Sequence, residues 1–554
     1  MTVYSDVSKR TQALLSGIDS NFFSGRQVGL EKETLRVDSN GRIAQTDHPK
    51  SLGSALCNSQ ITTDFSEALL EMVTPPSASV GEALSYLTSI HQFILPRLEQ
   101  DEGLWNTSMP CVIGGDNSIR IGQYGHSHNG MMKQAYRRGL GLRYGRRMQA
   151  IAGVHFNFSL PEHCWPVWQK AHGFNTNGSL DPAFSVASHG YFHMTRNLMR
   201  MGWIVPFLFG ASPAICQTFL PSGADSDLAT LNKNTRYAPF GTSLRMGEIG
   251  YRYKEDAPID LSVRHDTFAH YLDDILGHVT TEHPAYKEQG LLDDKGQQQQ
   301  LNANRLQIEN EYYSSVRPKQ IPQAGELPLL ALRRAGIRYL ELRSVDVNVF
   351  DPAGMHLEQL AMLEMLMLFA WLDDSSPLLP PEMELNKRNV QLVAHRGREP
   401  GLTLQFQHIH AGQIGKVENV LLSDWAEHIL NALVPIAELL DKYNGQGIAN
   451  NLYQNSLQQQ MAKVRDYSLT PSAQVVDQLD QHGSFFNMAM FLSEQHAQTL
   501  LSSPINAHTE SVLQTSVVES IEKQARLEAE TSGSFADHLQ SYFSQLDTVQ
   551  RQGG

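Results

Sequence analysis

Residues 29–37, GLEKETLRV, combine the alternation of a strand with two carboxylates on one face. Because successive side chains of a strand point to opposite faces, Glu31 and Glu33 are expected beside Leu35 and Val37. Two carboxylates at this spacing repel each other and lose hydration when they are covered, so a positive group should lie between them. The stretch therefore predicts a strand whose polar face is associated with positive charge.

The same combination occurs in other segments of the chain. They are 67–74 (EALLEMVT), 153–159 (GVHFNFS), 307–313 (QIENEYY) and 338–347 (RYLELRSVDV). Read as strands, they present on their polar faces Glu71; His155 and Asn157; Gln307, Glu309, Glu311 and Tyr313; and Tyr339, Glu341 and Arg343. If these strands share one sheet, their polar faces form a floor of glutamates with one histidine and one arginine.

Such a floor suits a hard divalent cation. Carboxylate oxygens with at most one imidazole favour Mg²⁺ or Mn²⁺ over zinc. Several Mg²⁺ ions held by carboxylates normally serve a polyphosphate substrate, because Mg²⁺ binds through few protein ligands together with phosphates. The alternative is the polar outer face of an antiparallel sheet, neutralised by lysines elsewhere. The pattern of residues alone leaves both interpretations open.

The composition narrows the classes of partner. Of 554 residues, 41% are hydrophobic, which allows a substantial core. Acidic residues outnumber basic ones by 58 to 44, which argues against nucleic acid as the main partner. The N-terminus has no signal-peptide core, and the apolar stretch 357–372 is interrupted by Glu358 and Glu364, so it predicts a buried helix instead of a membrane span. We expect neither nucleic acid nor a membrane as the partner.

Cysteine usage and a glycine motif exclude other types of site. Cys57, Cys111, Cys164 and Cys216 are widely spaced without a C-x-x-C pair, which predicts reduced thiols in a cytoplasmic protein instead of a disulfide framework or a zinc site. A regulatory disulfide between two of them is the disfavoured alternative. The sequence GQIGKV at 412–417 lacks the glycine spacing and the Ser or Thr of a phosphate-binding loop.

Strand-like and helical segments alternate up to about residue 350, and the chain beyond residue 380 is largely helical and polar. This order predicts an α+β fold. We expect a catalytic body over residues 1–380 and a mainly helical C-terminal region over 381–554 packed on it, without a clean linker. Further expectations are a helix near the N-terminus, an apolar helix over 191–210 and an exposed loop over 296–305.

Together these segments resemble the bacterial glutamate–cysteine ligase family of the proteobacterial type, also called γ-glutamylcysteine synthetase. The matching stretches include GLEKETLRV, LGSALCNSQITTDFSEALLE, SMPC, RYGRRMQAIAGVHFNFSLP, GWIVPFLFGASPAIC, TSLRMGEIGY, LQIENEYYSSVRPK and GIRYLELRSVDVNVF, in family order. The resemblance implies a glutamine-synthetase-like fold, in which a curved, mostly antiparallel sheet lines a funnel for ATP, metal ions and glutamate.

The resemblance also assigns residues. It implies Mg²⁺ ligation by Glu31, Glu33, Asp64, Glu71, His155 and Glu341. It places Phe65, Tyr136, Leu140, Gln149, Arg245, Tyr251 and Tyr313 around the incoming cysteine. Arg343 is expected near the transferred phosphate of ATP or a substrate carboxylate, and Arg343 and Arg245 are the expected catalytic residues. The implied reaction of this expected monomer is ATP-dependent ligation of the L-glutamate γ-carboxylate to the amine of L-cysteine through γ-glutamyl phosphate, the first step of glutathione biosynthesis.

Two other functions stay open. One is a related carboxylate–amine ligase with a different amine acceptor, and the segment SHNGMMKQAYRRGL at 127–140 is more basic than its surroundings require, which bears on acceptor choice. The other is a metal-binding regulatory relative without turnover, against which the retention of the glutamates and Arg343 speaks. A fused glutathione synthetase is disfavoured, because the weakly matching tail of ~150 residues is short for a second ligase domain.

Overall fold

The computed structural model describes residues 18–19, 21–99, 101–110, 112–174, 181, 185–221, 227–250, 261–410, 413–444 and 451–550. Its strands are β1 (Gln27–Asp38), β2 (Ile61–Thr63), β3 (Leu69–Val73), β4 (Glu102–Trp105), β5 (Val154–Ser159), β6 (Ala214–Cys216), β7 (Ala229–Asn232), β8 (Thr235–Tyr237), β9 (Val316–Lys319), β10 (Tyr339–Val345), β11 (Thr403–His410) and β12 (Gln413–Leu421).

The described helices of the first 400 residues are α1 (Val80–Ile94), α2 (His128–Tyr144), α3 (Cys164–His172), α4 (Val186–Arg200), α5 (Ile204–Phe209), α6 (Phe268–Thr280), α7 (Pro284–Gln289), α8 (Pro328–Ala335), α9 (Leu357–Leu372) and α10 (Pro380–Arg396). They are followed by α11 (Leu422–Ala432), α12 (Val434–Asn444), α13 (Leu452–Arg465), α14 (Pro471–His482), α15 (Phe485–Ser502), α16 (Ala507–Glu530) and α17 (Phe535–Gln550). Single 3₁₀ turns lie at Lys50–Leu52, Leu95–Arg97, Asp116–Ser118, Met148–Ala150, Gln217–Phe219, Leu244–Met246, Glu309–Glu311 and Tyr467–Leu469.

A 7-stranded sheet organises the fold, and its paired strands are antiparallel. The strand order is β2-β3-β1-β5-β10-β9, and β4 pairs with the end of β1. Strand β1 is central because its 12 residues are long enough to pair with β3, β5 and β4. Strands and helices in this arrangement confirm the predicted α+β class.

The apolar face of the sheet is covered by helices. Leu30, Val154, Phe156, Phe158 and Leu340 alternate with the polar positions and are at most 1% exposed. Helix α9 lies against β5 on this side and also contacts α1, α4 and α13. The prediction of a buried helix over 357–372 is confirmed, with the same bounds. None of the described helices is both long and apolar enough to cross a membrane.

Three segments differ from the prediction. Residues 307–313 are not a strand, because the Glu311 carboxylate accepts the Gln307 backbone N–H (2.7 Å) and closes a 3₁₀ turn. The apolar run 191–210 forms two helices, α4 and α5, separated by a turn at 201–203. The loop 296–305 is only partly exposed, since the Gln300 side chain is fully buried and donates to Tyr286 O (2.7 Å).

Among the described residues, the C-terminal region contains helices α11 to α17 and the β11–β12 hairpin, which the sequence did not predict. Its last helices brace the first half of the chain. Ser520 Oγ on α16 accepts the Ser54 backbone N–H (3.0 Å), and Glu528 accepts that of His126 (3.0 Å) just before α2. The predicted N-terminal helix falls on residues outside the described ranges.

The expectation of reduced thiols was wrong at Cys216. Cys216 is disulfide-bonded, whereas Cys57 and Cys164 are free. Burial raises the pKa of the Cys164 thiol to about 12, so this side chain is an apolar core residue and not a reactive thiolate.

Candidate active site

The carboxylates expected to form a floor do meet on one face of the sheet. Glu33 on β1 lies opposite Glu71 on β3, and Glu31 lies opposite His155 on β5. Glu341 on β10 continues the row beyond β5. Because these positions occupy the same phase of their strands, the register brings together side chains that are far apart in the sequence. The shared-sheet condition set by the sequence pattern is therefore met for the segments on β1, β3, β5 and β10, and it fails for 307–313, which is not a strand.

A tight cluster occupies the centre of this floor. One potential ligand atom each from Glu31, His155 and Glu341 lie within 4.8 Å of one another. His155 Nδ1 and Glu31 Oε2 are hydrogen-bonded at 2.9 Å. Glu341 receives Arg343 Nη1 at 2.9 Å and Lys319 Nζ at 3.2 Å. The cluster combines two carboxylates and one imidazole, a donor set typical of hard divalent cations.

Charge is distributed unevenly along the floor. At the Glu341 end, burial opposes ionisation, but Lys319 and Arg343 hold the pKa of Glu341 well below its ordinary value. For Glu31, burial and Glu341 also oppose ionisation, and the hydrogen bond from His155 leaves the pKa below the ordinary value. This end of the floor is therefore neutralised by residues of the chain itself.

At the opposite end, nearby cations only partly offset burial and the repulsion between carboxylates. Burial, with Asp64 and Glu71 as neighbours, raises the pKa of Glu33 well above its ordinary value. Burial, with Asp64 and Glu31, raises the pKa of Glu71 to about 8. Neighbouring carboxylates that resist ionisation together are stabilised when a cation binds between them.

A cavity of about 390 Å³ opens above the floor. Among the residues expected from the sequence, those that line it are Glu31, Asp64, Phe65, Glu71, Tyr136, Leu140, Gln149, His155, Tyr313, Glu341 and Arg343. Tyr251 lies outside the described residues. Glu33 and Arg245 are not among the lining residues that the structure describes.

Glu33 and Arg245 are buried and are held by hydrogen bonds next to the floor. Glu33 Oε2 accepts the Gly153 backbone N–H at 2.7 Å. Arg245 Nη2 donates to the Arg343 backbone carbonyl (2.7 Å), and Arg245 Nη1 lies 3.8 Å from Asp346 Oδ1. A side chain at Gly153 would collide with the Arg245 guanidinium, because its Cβ would lie 2.1 Å from Nη2. Arg245 therefore supports the strand that carries Arg343.

Helix α2 forms a side wall. Its helical spacing brings Lys133, Tyr136, Arg137, Leu140 and Tyr144 to the cavity. The helix begins at an N-cap, Ser127, whose side chain accepts the Gly130 backbone N–H (3.2 Å). A buried ion pair anchors its other end, where Arg143 Nη1 lies 2.9 Å from Glu311 Oε1 and the Tyr144 hydroxyl donates to the same oxygen at 2.7 Å.

Sequence reasoning missed several lining residues. Arg317 and Lys319 on β9 supply positive charge, and Lys133 and Arg137 do so on α2. The unusually basic segment 127–140 was a signal for the α2 pair. Tyr542 on α17 also lines the cavity, and nothing in its local sequence indicated this position.

Carboxylates and cations around one substrate-sized cavity, carried by an antiparallel sheet, define an enzyme site for charged small molecules. The family model described as glutamate-cysteine ligase matches residues 12–393. A glutamate–cysteine ligase from Alcanivorax borkumensis is 39% identical over 97% of this chain and 99% of its own length. One from Pseudomonas putida is 41% identical over 92% of each chain.

A solved structure agrees with the sequence comparisons. The glutamate–cysteine ligase of Francisella tularensis, in complex with AMP, matches with a TM-score of 0.85 and 31% identity, over 95% of this chain and 99% of that one. The chain therefore belongs to the glutamate–cysteine ligase family. It is a ligase, and its reaction is the ATP-dependent joining of glutamate to cysteine in glutathione synthesis.

Proposed function

We propose that the protein transfers the γ-phosphoryl group of ATP to the γ-carboxylate of L-glutamate and then transfers the γ-glutamyl group to the amine of L-cysteine. The observation that carries this proposal is the floor of Glu31, Glu71, His155 and Glu341 beside Arg343 in one cavity. The carboxylate of glutamate is a poor electrophile, and its acyl phosphate is an activated acyl group. The AMP bound to the Francisella relative supports a nucleotide as the second substrate.

The donor set fits the Mg²⁺ ions that the family resemblance implies. Glu31, His155 and Glu341 already place ligand atoms within 4.8 Å of one another, and burial beside Asp64 and Glu31 raises the pKa of Glu71, an effect that a bound cation would offset. We assign Glu31, Glu33, Asp64, Glu71, His155 and Glu341 as the residues that would hold Mg²⁺ or Mn²⁺. When bound, the ions neutralise phosphate charge and polarise phosphoryl oxygens.

The protein's own groups position the reacting atoms. Phosphoryl transfer depends mostly on positioning and charge neutralisation, not on a protein nucleophile. Arg343 is held from two sides, because its guanidinium donates to Glu341 and its backbone carbonyl accepts from Arg245. We assign Arg343 to the transferred phosphoryl group and Arg245 to keeping Arg343 in place.

Cysteine is assigned to the wall formed by Phe65, Tyr136, Leu140, Gln149 and Tyr313. Its neutral amine attacks the acyl carbon of γ-glutamyl phosphate and passes through a tetrahedral intermediate. The oxyanion of that intermediate is stabilised by nearby positive charge, and phosphate leaves as the amide forms. The amine proton is released, so the products are γ-glutamylcysteine, ADP and phosphate.

The antiparallel order of the sheet supports a glutamine-synthetase-like fold, which we propose for this chain. The contacts of α16 with α1 and of α17 with α2 support a C-terminal region, 381–554, packed on the catalytic body. We further propose that the protein acts as a cytoplasmic monomer.

The test is ADP release by the purified protein with ATP, Mg²⁺, L-glutamate and a panel of amine acceptors. The expected result is turnover that requires both glutamate and cysteine. The variant Glu31→Gln should lose at least about 100-fold in kcat/KM, because it removes a charged ligand oxygen without changing shape. Glu162→Gln is the matched control, since that side chain is 82% exposed and outside the cavity.

Other outcomes decide between the remaining functions. Turnover with another amine but not with cysteine would keep the acyl-phosphate chemistry and change the acceptor. Absence of turnover with every acceptor would contradict the proposed reaction. If Glu31→Gln melts at the same temperature as the wild type and keeps its activity, Glu31 is not a ligand of the cation.

A further inference from the structure

Lys133 brings a charged group to the cavity without a partner for it. Its side chain, on α2, is among the lining residues. Within the described part of the chain its ammonium group donates no hydrogen bond and has no carboxylate within 4.0 Å. It lies over the ring of Tyr124, 5.1 Å from the centroid. An ammonium group carries three donors, so this lysine retains hydrogen-bonding capacity toward the cavity.

The other lining cations differ from Lys133 in this respect. Arg343 and Lys319 donate hydrogen bonds to the Glu341 carboxylate. Arg137 donates to the backbone carbonyls of Asp64 and Thr63. Arg317 donates to the backbone carbonyls of Tyr312 and Asn310. These contacts hold them in the wall or floor. Lys133 is thus the lining cation whose donors the described residues leave available.

The position of Lys133 limits what it can bind. It lies three residues before Tyr136 and seven before Leu140, on the helix face that forms the proposed cysteine wall. On its other side, Glu71 and Asp64 are close enough to act on its charge. Lys133 therefore stands between the carboxylate floor and the amino-acid wall.

The chemistry of the reaction supplies a suitable group. Glutamate and cysteine each carry an α-carboxylate that takes no part in bond formation and must be desolvated in the cavity. A buried carboxylate is stable only when it is paired and hydrogen-bonded. Burial with Arg137 nearby lowers the pKa of Lys133 to about 8, and a carboxylate beside the ammonium group would offset this effect.

We propose that Lys133 binds the α-carboxylate of an amino-acid substrate and thereby sets the requirement for an α-amino acid at that position. This inference rests on the proposed function. It makes Lys133 a determinant of specificity, because an amine or a carboxylate without the α-carboxylate would leave the lysine unpaired.

Analogues that lack one carboxylate test the proposal. Cysteamine is cysteine without the α-carboxylate, and 4-aminobutyrate is glutamate without it. In Lys133→Met, kcat/KM for the substrate bound by the lysine should fall about 10- to 100-fold, the usual loss for a charge-assisted hydrogen bond. With the decarboxylated analogue of that substrate, wild type and Lys133→Met should have the same kcat/KM. Where an analogue is not turned over, its inhibition constant is compared instead.

Control variants separate charge from structure. Lys133→Arg keeps the positive charge and should recover most of the loss. Arg138→Met removes a cation from the same helix outside the cavity lining and should change KM values by less than about twofold.

The pattern of loss identifies the substrate. If Lys133→Met loses kcat/KM with cysteine but not with cysteamine, the lysine binds the α-carboxylate of the acceptor, cysteine. If it loses kcat/KM with glutamate but not with 4-aminobutyrate, the lysine binds the α-carboxylate of the donor, glutamate. The proposal is overturned if the kcat/KM of Lys133→Met falls only for ATP, falls equally for a substrate and its analogue, or does not fall. Wild-type protein without activity toward glutamate and cysteine would instead overturn the proposed function, so the two failures are distinguishable.

Discussion

Lys32 should make the stability of the protein depend on pH above neutrality. It lies on the core face of β1, between two residues of the carboxylate floor, and is 1% exposed. Its Nζ donates to Asn106 Oδ1 (2.7 Å) and lies 2.9 Å from His91 Nε2. The other nitrogen of His91 is bonded to Leu87 O at 2.8 Å, so Nε2 is the acceptor. No carboxylate forms an ion pair with Lys32 among the described residues, and burial lowers the pKa of Lys32 to about 7.

The sign and size of the effect follow from linkage. The lysine binds its proton up to pH 10.5 when unfolded but only up to about pH 7 in the folded protein. Between these values the unfolded chain holds more protons, so the free energy of unfolding rises with pH by roughly 1.4 kcal/mol per unit. From pH 7 to pH 9 the contribution of Lys32 amounts to about 2 kcal/mol.

The assay is urea unfolding of wild type and Lys32→Met at pH 7, 8 and 9. Other groups titrate equally in both proteins and cancel, so the stability of wild type relative to the variant should rise by about 2 kcal/mol across this range. Loss of the hydrogen bonds to Asn106 and His91 changes the stability difference by the same amount at every pH, so it does not affect how that difference varies with pH. The exposed Lys523→Met is the control and should show no such trend. A constant difference between wild type and Lys32→Met would refute the reasoning.

Further outcomes test the wall, the core and the acceptor pocket. Tyr542→Ala should raise a substrate KM several-fold with little change in melting temperature, because Tyr542 lines the cavity from α17; unchanged kinetics would place it outside the bound complex. Arg26→Met should lower the free energy of unfolding, measured by urea titration, by about 3 to 5 kcal/mol. The substitution leaves the fully buried Glu364, whose carboxylate lies 2.5 Å from Arg26 Nε, without its ion pair. A decrease below about 1 kcal/mol would contradict this. The enzyme should accept 2-aminobutyrate in place of cysteine, since a methyl and a thiol differ little in an aromatic pocket; absence of turnover at saturation would show direct recognition of sulfur.

Much of the floor could be predicted because strand alternation is local. The facing of Glu31, His155 and Glu341 follows from the two-residue period within each strand, and the family resemblance linked the strands. The same reasoning failed at 307–313, where Glu309 and Glu311 alternate as in a strand. There the Glu311 carboxylate bonds to the backbone of Gln307 and to Arg143, and these bonds stabilise a turn.

The sequence by itself determined which strands carry carboxylates, which stretch is the buried helix and to which family the chain is similar, because periodicity and motif order are properties of contiguous residues. Only the tertiary structure decided how charge is balanced. His155 reaches Glu31 across 124 residues of sequence, and Tyr542 reaches the cavity from the last described helix. Pairing of this kind depends on register and packing between distant segments. For the same reason, only the folded chain shows that the described residues leave the donors of Lys133 available while neighbouring cations are engaged.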